Sequence, residues 1–77
     1  MNAARRKQID ALISSLEDLR SQVEAIRDEE QEYLDNMPEG MRDGDKGQVA
    51  SDAVDSLSSA EAGLDDALSA LEQAKGE

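Results

Sequence analysis

Apolar residues recur through the first half of the chain at alternating intervals of three and four: Ile9, Leu12, Leu16, Leu19, Val23 and Ile26. The same spacing continues onto Glu30, Tyr33 and Met37. Written as heptads, Ile9, Leu16, Val23, Glu30 and Met37 form the a row, and Leu12, Leu19, Ile26 and Tyr33 the d row. Ile13 and Leu34 widen this stripe on one flank. Pro38 disfavours the α region for the residue before it, so the helix should end short of Met37. The pattern predicts a first helix over about residues 4–36, about 45–50 Å long.

The second half repeats the pattern with smaller side chains. Ala50, Leu57, Leu64 and Leu71 fall seven apart, with Val54, Glu61, Leu68 and Lys75 as the companion row. A third row, Ala53, Ala60, Ala67 and Ala74, runs beside them without a break. Alanine loses little entropy in a helix and lets a neighbouring helix come close. Asp45, followed three residues later by Gln48, reads as a capping box opening a second helix, and Gly76 as its stop. The second helix is expected over about residues 46–75, with a turn over 37–45 between the two.

Folding the halves back with Met37 against Ala50 pairs Tyr33 with Val54, Glu30 with Leu57, Ile26 with Glu61 and Val23 with Leu64. Leu19 then meets Leu68, and Leu16 meets Leu71. Only the layers holding Glu30 or Glu61 lack an apolar pair, and both glutamates are read as register-setting residues at the edge of the seam. The fold class is therefore all-α: a single domain, an antiparallel two-helix coiled-coil hairpin. In this register Ile9, Leu12 and Ile13 overhang the end of the second helix. A hairpin with that much apolar surface left over is expected to dimerise into a four-helix bundle.

Composition narrows the chemistry. The chain has 77 residues, too few for a second domain and marginal for a lone core. It has no histidine and no cysteine, hence no disulfide and neither the usual general base nor the usual zinc ligands. Its serines have no partner base and no nucleophile elbow surrounds them, so no enzyme activity is expected. Asp43-Gly44-Asp45 opens like a calcium loop. The pattern then fails at Gly47, Gln48 and Val54, and no metal or cofactor is expected. A net charge of −11 speaks against direct nucleic-acid binding and against anionic membranes. Arg5-Arg6-Lys7 has no apolar run behind it, so it does not read as a signal peptide, and the cytoplasm is the expected location.

The turn is long for a helical hairpin and holds the chain's one proline, and the one tyrosine, Tyr33, lies just before it. Pro38-Glu39-Gly40 suits a tight turn in which Gly40 takes a positive φ. Tyr33, Met37 and Met41 cluster there, either plugging the end of the bundle or presenting a partner-binding tip. The stretch Glu32-Tyr33-Leu34-Asp35-Asn36-Met37-Pro38-Glu39-Gly40, set between a long heptad helix and an Ala/Asp-rich one, resembles small acidic helical-hairpin accessory proteins of tailed bacteriophages and prophages. That resemblance implies a short protein that binds and disables one host protein, such as a defence component or a transcription regulator, in the bacterial host cytoplasm.

The first functional expectation is thus a non-enzymatic protein–protein interaction module and inhibitor, homodimeric, using Ile9, Leu12, Ile13, Tyr33, Met37 and Met41. The alternative is an acidic DNA mimic, in which Asp28, Glu29, Glu32, Asp52, Asp55, Asp65 and Asp66 stand in for phosphates on a rigid rod. A third is a structural coiled-coil component of a larger assembly.

Overall fold

The computed structural model describes residues 1–76. Asn2 opens the first helix: its backbone is extended (φ −81°, ψ 168°) and its Oδ1 accepts a hydrogen bond from the Arg5 N–H at 2.8 Å. Helix α1 then runs Ala3–Asp35. It closes where the constraint of Pro38 begins, with the Asn36 N–H bonded to the Glu32 carbonyl at 3.0 Å. No basic residue lies in its last turn. Arg42 fills that role from outside, donating through Nη2 to the Asp35 carbonyl at 2.8 Å, where a cation complements the helix dipole.

The connection differs from the turn expected. Glu39–Arg42 forms one helical turn, α2, entered through Pro38 at φ −58°. Both the Met41 and the Arg42 N–H groups bond back to the Pro38 carbonyl at 2.9 Å. Gly40 sits inside this turn, and no glycine of the chain has positive φ. The preset φ of proline starts a helical turn as readily as a type II turn, and here the helix forms. Helix α3 follows over Asp45–Gly76. The expected capping box is absent: Asp45 is already helical, the Gln48 N–H bonds to the Gly44 carbonyl, and the Gln48 side chain donates forward to Asp52 Oδ1 at 2.9 Å.

The two long helices pack against each other along a rod of 58 × 14 × 12 Å. Three cross-helix ion pairs show that they run antiparallel: Asp10 with Lys75, Arg20 with Asp65, and Arg27 with Glu61. Each lies within two residues of the register expected from the heptads.

The rotation of α1 about its own axis is another matter. Besides Glu24 and Gln31 at its edge, the residues buried or half-buried on its α3 side are Ile9, Ile13, Leu16, Arg20, Val23, Arg27, Glu30 and Leu34, with Met37 following just beyond the helix. That set is the a row plus the flanking row Ile13, Arg20, Arg27 and Leu34. The d row, which the heptad reading paired with Val54, Glu61 and Leu68, lies outside. On α3 the rows Ala50/Leu57/Leu64/Leu71 and Val54/Glu61/Leu68/Lys75 form the facing side, extended by buried Gly47.

Candidate interaction surface

Four of the exposed large apolar side chains belong to a single line. Leu12 is 54% exposed, Leu19 48%, Ile26 53% and Tyr33 51%. They stand seven residues apart on one side of α1, spanning about 30 Å at 1.5 Å per residue. Beside Tyr33, α3 contributes Val49, the most exposed of the large apolar residues described. Glu30, Tyr33, Asp45, Lys46, Val49 and Ala50 line a shallow open hollow of about 260 Å³ at this end of the ridge. It is small for a cofactor or metabolite pocket, which ordinarily encloses its ligand on most sides. It reads instead as a continuation of the apolar line onto α3.

The hollow also shows which rows of α3 share a side with the ridge. Tyr33 meets Lys46 there, and Lys46 heads the seven-residue series Ala53, Ala60, Ala67 and Ala74. One broad face of the hairpin thus carries a line of large residues from α1 next to a line of alanines from α3.

The residues singled out from the sequence are dispersed. Leu12, Tyr33 and Met41 are exposed, and Ile9 is half-buried. Ile13 and Met37 are buried within the hairpin itself. Ile13 therefore does not overhang: α3 reaches far enough for Lys75 Nζ to sit 2.9 Å from Asp10 Oδ1, one turn before Ile13. Met37 is buried at the turn end of the hairpin, while Tyr33 is half exposed.

All seven carboxylates of the phosphate-mimic reading are exposed: Asp28, Glu29, Glu32, Asp52, Asp55, Asp65 and Asp66. They are not equally free. Arg27 Nη2 donates to Asp28 at 3.0 Å, and Arg20 holds Asp65 with two nitrogens, Nε on Oδ1 and Nη2 on Oδ2.

A polar cluster in the middle of the seam was not foreseen. Glu61, expected at the edge, is only 6% exposed. Its Oε2 lies 3.9 Å from Arg20 Nη2, and its Oε1 lies 2.9 Å from Arg27 Nη1. The second contact is one of charge, since no N–H is aligned on Oε1. Arg20 is raised above its ordinary pKa, first by its hydrogen bond to Asp65 and then by that charge, with Glu24 and Glu61 adding less. Arg27 is raised as well, first by its hydrogen bond to Asp28. A signal was present: Ile13, Arg20, Arg27 and Leu34 are themselves a seven-residue row beside the a positions.

Among the described residues no cluster of His, Cys, Asp and Glu is arranged to hold a metal ion, and no helix is long and apolar enough to cross a membrane. Compared with known proteins, the chain matches no family model, no curated protein and no solved structure.

Proposed function

We propose that this chain is a non-enzymatic protein–protein interaction module that works as a homodimer of helical hairpins forming a four-helix bundle. One observation carries the proposal. Two rows flank the a positions of α1, and the hairpin turns the more polar of them inward. Arg20 and Arg27 face α3 while Leu19 and Ile26 face outward. Burying those apolar side chains against another protein recovers roughly 25 cal/mol per Å² that the hairpin alone forgoes. Exposed apolar area of this extent commonly marks a contact surface.

The resemblance of Glu32–Gly40 to phage accessory proteins extends the proposal to a target: a host protein in the bacterial cytoplasm, such as a defence component or a transcription regulator, which the module binds and inhibits. The exposed Met41 at the tip and the outer helix faces stay available for it. The acidic-mimic reading draws its support from the exposed Asp52, Asp55 and Asp66 on α3. It is weakened at Asp65 and Asp28, whose charges arginines already offset.

Light scattering at micromolar concentration should return the mass of two chains; the mass of one would remove the dimer from the proposal. A pull-down from bacterial lysate, eluted by a salt gradient, addresses the target. A protein that survives high salt and is lost with Met41→Asp supports apolar recognition, whereas a basic protein released at moderate salt supports mimicry.

A further inference from the structure

We infer that the ridge Leu12–Leu19–Ile26–Tyr33 is covered by the same ridge of a second copy lying antiparallel to it, so that every layer of the resulting bundle holds two large residues and two alanines. The inference rests on the dimeric reading above and specifies its face and orientation.

The layers follow from the hairpin register. The ion pairs Asp10–Lys75, Arg20–Asp65 and Arg27–Glu61 place Leu12 level with Ala74, Leu19 with Ala67, Ile26 with Ala60, and Tyr33 with Ala53. The face is thus a stack of four layers, each one large side chain beside one small one. Two such faces related by a twofold axis through the middle of the ridge bring Leu12 against Tyr33 of the partner subunit and Leu19 against Ile26 of the partner subunit. The alanine rows then meet across the same axis, Ala53 with Ala74 of the partner subunit and Ala60 with Ala67 of the partner subunit. Each layer then carries the same complement, two large residues on the α1 side and two alanines on the α3 side, so the four helices close around a core of even composition along its length. The contact is also self-complementary, as a twofold interface must be.

Charge selects the direction. Arg5, Arg6 and Lys7 lie in the first turns of α1, where cations oppose the helix dipole, and they make no ion pair with the described residues. Antiparallel pairing carries them to the level of the partner's turn, which is flanked in the sequence by Asp35, Glu39 and Asp43. A twofold along the rod would instead lay α1 over the partner's α3 and bring both basic clusters to one level and both Asp28–Glu32 runs to another, where like charges repel. Size agrees as well. The broad face of a 58 × 14 Å rod is roughly 800 Å², the area each partner contributes to a standard stable interface.

Because the chain has no cysteine, single-cysteine variants of the full-length protein report on the geometry. Gln22 and Ser15 flank the ridge on its exposed side. In the antiparallel dimer, Gln22 lies beside its own copy near the twofold axis. Ser15 lies about 20 Å from its own copy along the rod. With a short bismaleimide, Gln22→Cys should give a covalent dimer in high yield and Ser15→Cys at least tenfold less, while Ser15→Cys/Glu29→Cys regains it. Equal crosslinking of the two single variants would contradict a twofold placed at Gln22 and overturn the inference. No crosslinking in any variant, with light scattering still reporting two chains, would place the dimer on another face and also overturn it. A one-chain mass for the uncrosslinked protein would remove the dimeric reading itself, and the inference with it.

Discussion

A methyl group added at Gly47 would put a Cβ 1.8 Å from the Arg42 carbonyl oxygen and 2.6 Å from its Cα. Both are backbone atoms that no rotamer change can move, so the glycine is there for close approach and not for an unusual φ. Gly63 presents the opposite case: a helix-interior glycine with open space around its missing Cβ. Gly47→Ala should therefore destabilise by about 1–3 kcal/mol, as overpacking does. Gly63→Ala should stabilise by up to about 1 kcal/mol through helix propensity alone. Thermal unfolding followed by circular dichroism checks both, and a Gly47→Ala protein that melts at the wild-type temperature would show that the α2–α3 approach is looser than drawn. Glu61 is the other position where one side chain governs its surroundings. Lodged between Arg20 and Arg27, it gives both guanidinium groups a reason to face α3.

Among the elements, α1 was legible as a helix but not in its rotation. Its a row faces α3 under either reading, and the neighbouring rows compete for the remaining contact. Counting apolar residues favours the d row, with four, over Ile13, Arg20, Arg27 and Leu34. The competition is decided by partners on α3, Glu61 and Asp65, which sequence periodicity does not pair with particular arginines. The end of α3 is held in a similar way. Lys75 has its pKa raised, mainly by its hydrogen bond to Asp10 and then by that charge. A cation whose folded pKa lies above its unfolded value contributes stability that is fully present below the unfolded value and lost as the pH climbs through the folded one. The Asp10–Lys75 contact should thus hold up to about pH 10.5, the ordinary lysine value, and fail above it. A melting temperature that falls more steeply beyond that pH in wild type than in Lys75→Met would bear this out, and identical slopes would contradict it.

For the whole molecule, charge and shape pull in different directions. Each copy carries −11, so association brings like charges together, while the ridge favours association. Salt screens the first effect and leaves the second almost untouched. Sedimentation should accordingly show self-association tightening as sodium chloride is raised from low to well above physiological strength. A dimer that dissociates with added salt would instead be held by the Arg5–Lys7 contacts, and the apolar ridge would not be its main support.

The primary structure alone determined that this chain makes two long helices, that they fold back antiparallel, and that their register lies close to Met37 opposite Ala50. Each of these depends on the spacing of apolar residues and on one proline, and both are local in the sequence. Tertiary structure decided the rest. The turn's backbone geometry made Glu39–Arg42 a short helix and let α3 reach Asp10. Arg20 and Arg27 meet Asp65 and Glu61 on α3, and in that rotation of α1 the row Leu12, Leu19, Ile26 and Tyr33 faces outward. A heptad pattern records which residues share a stripe. Which edge of that stripe meets the neighbouring helix depends on contacts between residues far apart in the chain, and those exist only once it has folded.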